Sequence, residues 1–446
     1  MMIKRKLLLK LKLSNKMQKK LKLSILSILA FWTVESKAQE NVYPAPAQKG
    51  IVAISNATIH VGNGQVLPES NIVFENGKIT AVGKVVIPAN ATVIEAKGKQ
   101  VYPGFILPSS DIGLHEVGSG VRGSNDYFEI GENNANIRSI VAYNADSKII
   151  GVLRENGILL AGIAPQGALI EGVSSVVQLS AWNYEDAAYK LDNGLYINFP
   201  SFVVPNNPRG NADNALQRSK ERLEVIRKFF AEAKSYLAEK SHVSNNLRFE
   251  AVRGLFNGSQ KLFVRANEVK QMLLAIDLAK SIGCQLVIVG GADSHLIGSI
   301  LAQNQVSVIL DEPHALPLTE DDDVDQPYKT AAALQKAGVL FCLNDTHNQT
   351  RYRNVAFNAG TAATYGLSKE EALSSITLNA AKILGISDKT GSLEVGKDVN
   401  LFISEGDALD MRGNNISHAF IQGRNVSLDN KQKQLYERYK YKYGIK

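Results

Sequence analysis

Strand-like and helix-like segments alternate through the middle of the chain, and this alternation restricts the possible folds more than any other feature. Strand patterns rich in β-branched residues are each followed by a helical pattern. Neighbouring strands that run in the same direction need a crossover connection, which is usually a helix. We therefore predict parallel strands joined by crossover helices. The predicted strands are 261–266, 285–290, 306–310 and 339–344, and the predicted helices are 268–282, 294–303, 326–336, 351–365 and 369–384.

Short strands border this region on both sides. Residues 51–101 contain strand patterns separated by turns, and Asn76-Gly77 predicts a hairpin because both central residues of a type I′ turn need positive φ. Past residue 391 the chain returns to strand patterns, first over 391–403 and then in a hairpin around Gly423. We therefore predict one flanking β-domain assembled from both ends. A long helix is predicted at about 212–240, and we assign no strands to the less regular residues 125–207.

The positive charge of the chain is concentrated at its start. The formal net charge is +7, but residues 1–38 hold ten basic side chains and one acid, which is +9, so that the remainder carries −2. A nearly neutral body offers no basic surface for a nucleic acid. The charge distribution therefore argues against DNA or RNA as a partner and leaves a small-molecule substrate or ligand possible.

The first 38 residues have the pattern of a secretory signal peptide. A basic segment at 19–22 precedes twelve apolar residues at 23–34, and Ser36-Lys37-Ala38 fits a cleavage site between small residues. Either Met1 or Met17 could be the start. The alternative, an uncleaved membrane anchor, would need a longer apolar run, and no later segment is long enough to span a membrane. We expect an exported bacterial protein, periplasmic or secreted, whose mature chain has no membrane span.

Three blocks of sequence resemble the amidohydrolase superfamily, and in particular its imidazolonepropionase-like branch. They occur in the family's order and frame the chain from about residue 50 to 425. The blocks are 51–59 with 76–83, then 99–106 with its Pro103-Gly104 entry to the first barrel strand, then 372–385 with 391–398.

The resemblance implies a (β/α)8 barrel of the TIM type with a small flanking β-sandwich built from N- and C-terminal segments. On this basis the signal peptide occupies 1–38, the composite β-sandwich 39–100 and 391–430, the barrel 101–390, and a charged tail 431–446. The family hydrolyses carbon–nitrogen bonds other than peptide bonds. Its metal ions lower the pKa of a bound water and so supply hydroxide at neutral pH.

The residues that would bind the metal depart from the family pattern. The two histidines expected on the first barrel strand are replaced by Ser109 and Asp111. The strand-5 histidine aligns with Arg265, and the strand-6 histidine falls near Gly290. Only the strand-8 aspartate is retained, as Asp345, and no strand-4 ligand can be aligned.

These replacements predict the loss of the standard metal centre. A stable catalytic zinc site uses about three protein ligands, mostly imidazole nitrogens. Asp111 and Asp345 could supply two oxygens to one divalent metal such as zinc, whereas the guanidinium of Arg265 cannot coordinate a cation and would repel it. Two interpretations remain open. Arg265 binds an anionic substrate group with Asp345 as general base, or Arg265 pairs with Asp345 or Asp111 in an inactive site.

Other polar residues could contribute a displaced site. His115, His295, His314 and His347 follow predicted barrel strands 1, 6, 7 and 8, whose ends meet on one face, and could rebuild a metal site there. The acidic run 320–325 could hold a hard cation, although charge runs are usually solvated.

Two functions therefore remain open from the sequence. One is a nominal hydrolase of carbon–nitrogen bonds whose standard metal centre is lost. The other is a catalytically inactive periplasmic pseudoenzyme that binds a ligand or protein partner through the former active-site face.

Overall fold

A computed structural model describes residues 43–116, 125–203, 212–317, 321–346 and 349–445. The chain divides into two compact units, Met1–Tyr43 and Pro44–Lys446. The predicted signal peptide at 1–38 lies outside the described residues, and all the strands and helices of the described ranges belong to the second unit. None of these helices combines the length and the apolar character needed to cross a membrane.

The described residues form sixteen strands. They are β1 Val52–His60, β2 Val66–Glu75, β3 Lys78–Gly83, β4 Thr92–Glu95, β5 Gln100–Pro103, β6 Phe105–Ser110, β7 Ile158–Ile163, β8 Ile170–Gln178, β9 Ala188–Asn198, β10 Lys261–Ala266, β11 Leu286–Gly290, β12 Ser307–Leu310, β13 Phe341–Leu343, β14 Leu401–Ser404, β15 Ile416–Ile421 and β16 Arg424–Asn425.

The described residues also form twelve α-helices and three 3-10 helices. The α-helices are α1 Lys148–Glu155, α2 Tyr184–Ala187, α3 Ala212–Ala238, α4 Leu247–Ala251, α5 Arg253–Asn257, α6 Val269–Ile282, α7 Gly298–Gln303, α8 Gln326–Lys336, α9 Val355–Thr364, α10 Lys369–Ser375, α11 Leu378–Leu384 and α12 Lys431–Tyr443. The 3-10 helices are Ser139–Ala142, Ala292–Ile297 and Tyr352–Asn354.

The flanking β-domain combines strands from both ends of the chain, as predicted. Its sheet has the order β16-β15-β14-β5-β1-β2-β3, with β4 also paired to β1. The sheet folds back on itself, because Phe74 of β2 packs edge-on against Phe420 of β15 with ring centroids 5.3 Å apart. The apolar residues between the two halves include Ile54 and Leu401, both fully buried. This confirms a small sandwich built from the two terminal segments.

The predicted hairpin at Asn76-Gly77 is present. Glu75 of β2 pairs with Lys78 of β3, and the two residues between them have φ of 51° and 76°. Both values lie in the left-handed region that a type I′ turn requires. A β-carbon at Gly77 would lie 2.8 Å from the carbonyl oxygen of Gln422, so glycine is also needed for close contact with the C-terminal strands.

The second sheet is a nearly closed eight-stranded barrel, which confirms the predicted fold class. The strands β6 to β13 follow one another in sequence order around it. Apolar side chains fill its interior, among them Ile106, Tyr196, Phe263 and Cys342. A larger apolar layer packs between the strands and the surrounding helices.

One barrel strand departs from the regular pattern, because β8 runs antiparallel to both β7 and β9. The connections on its two sides, residues 164–169 and 179–187, are shorter than the dozen or so residues that a parallel crossover needs. The first residues of β8 therefore lie at the end of the barrel where the neighbouring strands β7 and β9 finish.

Two elements differ from their predicted form. The helix expected over 369–384 is divided into α10 and α11, because the carbonyl of Ile376 accepts a hydrogen bond from the amide of Ile106 at 2.9 Å instead of continuing the helix. Helix α10 begins with a capping box, formed by Ser368 and Glu371. Of the strand expected over 391–403, only its last residues form a strand, as β14.

Candidate functional site

The predicted site residues lie at the carboxyl ends of barrel strands. Ser109 is among the last residues of β6 and Asp111 follows it, Arg265 is near the end of β10, and Gly290 ends β11. Asp345 follows β13. Because these strands run parallel, their carboxyl ends meet on one face, where barrel enzymes place their active sites.

Arg265 forms a buried ion pair with Glu171 at this face. Its Nε lies 2.9 Å from Glu171 Oε2, and the side chains are 22% and 1% exposed. The guanidinium carbon lies 5.1 Å from the centre of the Tyr196 ring, and Nη2 donates to the carbonyl of Pro165 at 3.4 Å. Burial raises the pKa of Glu171 although Arg265 opposes this. The pKa of Arg265 is also raised, since Glu171 and Tyr196 together outweigh its own burial. Arg265 is thus a fixed positive charge.

This pairing corrects an expectation from the sequence. In the interpretation of an inactive site, Arg265 was expected to pair with Asp345 or Asp111, whereas the structure places Glu171 beside it. The reason is the direction of β8, which brings the start of that strand to the barrel mouth. The sequence offered one indication of this role: Glu171 is a carboxylate within the apolar run around Ile170.

Asp111 is engaged in hydrogen bonds. Its Oδ1 accepts a bond of 2.6 Å from the hydroxyl of Tyr352, and its Oδ2 lies 3.1 Å from Nδ1 of His115. Burial raises the pKa of Tyr352 well above its usual value, and the charge of Asp111 adds to this effect. Tyr352 therefore remains a neutral donor to Asp111. The neighbouring Ser109 hydroxyl hydrogen-bonds the side chain of Tyr196.

Asp345 is fully buried beneath helix α9. Its Oδ2 accepts a hydrogen bond of 3.2 Å from Nδ2 of Asn358 and lies 3.9 Å from Nε of Arg351. Asn358 also donates to the backbone carbonyl of Asn344 at 3.4 Å. The Asp345 carboxylate is therefore positioned by Asn358 of α9 and by Arg351.

Asp311, at the end of β12, is a candidate that the sequence reasoning did not single out. Burial raises its pKa to about 7, and the adjacent Glu312 adds to this while Arg265 opposes it. Glu312 accepts two hydrogen bonds from Thr346, at 3.1 and 3.2 Å. The signal in the sequence was two consecutive carboxylates directly after a predicted barrel strand. A carboxyl group that titrates near neutrality is suited to proton transfer or to binding a cation.

Buried polar atoms without partners lie beside Asp311. Neither side-chain atom of Asn344 has a hydrogen-bond partner among the described residues, and the same holds for Oδ1 of Asp311. The two residues follow the paired positions Leu310 and Leu343 on neighbouring parallel strands, so they lie at the same level of the barrel. An unpaired buried polar group costs about 1–3 kcal/mol, which a bound polar group would relieve.

The donor set does not fit the family's metal centre. At the position of the strand-5 ligand stands Arg265, whose guanidinium is already paired with Glu171. Gly290 stands near the position of the strand-6 ligand, and the hydroxyl of Ser109 is a weak metal ligand. Within the described ranges, no three His, Cys, Asp or Glu side chains lie close enough together to hold a metal ion. Asp345, which is retained, and Asp111, which replaces a histidine, are two oxygen donors and fall short of the roughly three ligands that zinc requires.

The other candidate residues have separate partners. His115 contacts Asp111, Nδ1 of His295 lies 3.2 Å from the carbonyl of Ala292, and Nε2 of His314 lies 3.0 Å from Oγ1 of Thr361. His347 lies outside the described residues. In the acidic run, Asp323 and Asp325 pair with Lys329 at 3.5 and 2.7 Å, and Glu320 is outside the described residues.

Comparisons with known proteins find similarity in sequence and in fold. The amidohydrolase family model matches residues 319–426. The imidazolonepropionase of Thermoplasma volcanium is 23% identical over 366 residues, which cover 79% of this chain and 85% of that protein.

Solved structures extend this similarity over the barrel and the flanking sheet. The crystal structure of an amidohydrolase from Thermotoga maritima MSB8 aligns with a TM-score of 0.73 and 25% identity, and covers 84% of this chain and 99% of that one. A prolidase complexed with N-methylphosphonate-L-proline aligns with a TM-score of 0.55 over 85% of this chain and all of that one. At 15% identity, the prolidase shares the fold alone.

Proposed function

This chain belongs to the amidohydrolase superfamily, and we propose from this premise that its barrel mouth binds a small organic molecule without the family's metal-dependent hydrolysis. One observation carries the proposal: the Arg265–Glu171 ion pair lies where the family places a metal ligand. The fixed positive charge of Arg265 at this position repels a divalent metal ion. The negative charge of Glu171 is already balanced by that of Arg265.

The polar groups at the mouth support ligand binding. The side chain of Arg265 is 22% exposed, and the carboxamide of Asn344 and one oxygen of Asp311 have no partner among the described residues. A molecule that carries both donors and acceptors, such as an amide or a ureide, would satisfy these groups. The substrate class of the family contains such compounds. The leader at 1–38 further supports binding outside the cytoplasm, in the periplasm or beyond.

A second candidate function is metal-independent hydrolysis of carbon–nitrogen bonds. It is favoured by the pKa of about 7 for Asp311, which suits a general base, and by the nearby positive charge of Arg265, which could stabilise a developing oxyanion. In this alternative Asp345 is the other candidate base.

Turnover measurements separate the two functions. The purified protein is incubated with a panel of amides, ureides and N-acyl amino acids, with and without added zinc, and products are followed by mass spectrometry. The proposal expects product no faster than in protein-free controls, and it expects that added zinc changes nothing. Zinc-stimulated turnover would contradict it.

Substitution of Asp345 tests the second candidate. If hydrolysis occurs without metal through this carboxylate, Asp345→Asn should abolish turnover and leave the melting temperature nearly unchanged, because the amide keeps one oxygen for Asn358. Unaltered turnover in this variant would remove Asp345 from the mechanism.

A further inference from the structure

Helix α12 presents a row of large side chains to solvent. Leu435, Tyr439 and Tyr443 are spaced four residues apart and so lie on one side of the helix, and Tyr436 lies beside them. We call these four residues the aromatic face. Its three tyrosines, Tyr436, Tyr439 and Tyr443, are 62%, 51% and 65% exposed. In most helices on a protein surface such a face packs against the core, whereas here it points away from it.

The polar start of the helix holds it against the body of the protein. The side chain of Asn430 caps the helix by accepting a hydrogen bond from the amide of Lys433, and it also donates to Glu155 at the end of α1. Nζ of Lys433 lies 3.0 Å from the other carboxylate oxygen of Glu155. Lys433 and Gln434 are partly buried, whereas the aromatic face is exposed. The attachment thus leaves the aromatic face free to contact a partner.

Ammonium groups border the aromatic face on both sides. Nζ of Lys440 lies 5.4 Å from the centre of the Tyr436 ring. Nζ of Lys442 lies 5.7 Å from the centre of the Tyr439 ring and 5.0 Å from that of Tyr443. Because successive residues of a helix turn by about 100°, these two lysines lie on opposite edges of the face. The helix therefore offers exposed rings between two rows of positive charge.

The charge of the rest of the chain has the opposite sign. Residues 431–446 hold six basic side chains and one acid, which is +5. Since residues 39–446 carry −2 in all, residues 39–430 carry −7. An anionic partner is therefore attracted by the helix and repelled by the remainder. This separation favours a flat anionic surface that contacts the helix alone over a nucleic acid that needs a broad basic surface.

A phospholipid surface combines the two features that the helix matches. Tyrosine rings are enriched at the boundary between lipid headgroups and acyl chains, and lysines close to an anionic membrane are attracted to its headgroups. A helix with these residues lies in the plane of the surface and does not cross it. The export that we propose for this chain would bring α12 to the phospholipids of the cell envelope.

We infer that α12 docks on an anionic phospholipid surface, with its aromatic face among the headgroups and Lys440 and Lys442 beside their phosphates. The contact attaches the protein to the surface of a membrane without a membrane span. It goes beyond the proposed function, because none of its residues lies at the barrel mouth. A single short helix gives weak and reversible attachment, which depends on salt.

Vesicle flotation tests the inference with the chain that lacks the signal peptide predicted at 1–38. At low salt, vesicles of equal parts phosphatidylcholine and phosphatidylglycerol should carry at least about fivefold more protein than vesicles of phosphatidylcholine alone. Raising NaCl to about 0.5 M should remove most of this difference, because salt screens exposed charges. Equal binding to the two kinds of vesicle would overturn the inference, as would no binding to either.

Charge variants locate the contact. Lys440→Gln with Lys442→Gln should lower binding to the anionic vesicles at least about fivefold. The matched control, Lys220→Gln with Lys228→Gln on α3, removes the same charge from exposed positions and should bind like the parent. Equal losses in the two double variants would overturn the inference. So would a dimer in lipid-free solution that the α12 variant converts to a monomer, because the helix would then bind a second copy of the chain.

Tyrosine variants test the orientation of the helix. Tyr439→Ser with Tyr443→Ser should lower vesicle binding at least about threefold, because it removes the rings that enter the headgroup layer. Tyr441 is 91% exposed but lies on the other side of the helix, so Tyr441→Ser should bind like the parent. Since no residue of α12 is buried, these variants should fold like the parent. If Tyr441→Ser weakens binding as much as the double variant, the assigned face is wrong.

Discussion

At the scale of single residues, the pair formed by Arg265 and Glu171 determines the electrostatics of the barrel mouth. Taking two charges out of water costs several kcal/mol per ion, and their mutual attraction offsets this cost only while both are present. Removing one partner leaves a buried charge uncompensated. Replacing both residues by apolar side chains removes the desolvation cost of the two charges together with their mutual attraction.

We therefore expect Glu171→Gln to destabilise the protein by about 3 kcal/mol, measured by urea unfolding. The double variant Glu171→Leu with Arg265→Met should recover most of this loss. The control is Glu224→Gln, which breaks the exposed pair with Arg227 and should cost less than about 1 kcal/mol. Equal losses for Glu171→Gln and Glu224→Gln would show that the pair is not a buried, mutually dependent one.

Asp311 should make stability depend on pH. Its folded pKa of about 7 lies above the unfolded value of about 3.9, so the folded state binds more protons between these values. The stability that this group contributes is complete below about pH 4 and is lost as the pH rises through about 7. The side chain introduced by Asp311→Asn cannot ionise, so the stability of this variant does not fall for this reason as the pH rises.

The variant Asp311→Asn should therefore be more stable than the parent by up to about 4 kcal/mol at pH 8, and by much less at pH 4.5. Melting temperatures of both proteins across this range measure the effect. Asp277→Asn, on the surface, should show no such divergence. A difference between Asp311→Asn and the parent that is the same at pH 4.5 and pH 8 would contradict the raised pKa.

Residue positions were predictable from the sequence where a strand end could be located. Arg265, Asp111 and Asp345 were assigned to the barrel mouth because the family resemblance aligns each of them with a metal-ligand position at the end of a barrel strand. Glu171 was missed because its contribution depends on the direction of β8, and local pattern does not encode direction. Asp311 was missed because its significance arises from burial by surrounding elements.

At the scale of elements, the Asn76-Gly77 turn between β2 and β3 is in close contact with the C-terminal part of the flanking domain, at Gln422. Gly77 and Gly98 have nearly equal φ, 76° and 77°, but a β-carbon at Gly98 would meet nothing within 4 Å. Substituting alanine at either position imposes the same backbone strain. Only at Gly77 does it also create a clash with Gln422.

Gly98→Ala should therefore cost about 1 kcal/mol, the strain of a side chain in the left-handed region, and Gly77→Ala about 1–3 kcal/mol more. Chemical denaturation of the two variants gives the difference directly. If the two substitutions have the same cost, the N-terminal hairpin and the C-terminal strands are not held in close contact.

At the scale of the whole molecule, the barrel and the composite flanking sheet were predictable because several signals agreed. Alternating strands and helices, strand patterns at both ends and three family blocks in order all indicated one architecture. The exception was the segment from β7 to β9, where short connections replace crossover helices and produce an antiparallel strand. That segment also supplies Glu171, so the irregular part of the fold and the altered site coincide.

The metal content of the whole protein tests the central claim most directly. The chain without the signal peptide predicted at 1–38 is produced in zinc-supplemented medium, purified without chelator, dialysed and analysed by inductively coupled plasma mass spectrometry. Because Arg265 is ion-paired with Glu171, and because no three possible ligands in the described parts of the chain lie close enough together to hold a metal, we predict less than about a tenth of an equivalent of zinc per chain. One or two equivalents retained after dialysis would contradict the replacement of the metal centre by the Arg265–Glu171 pair.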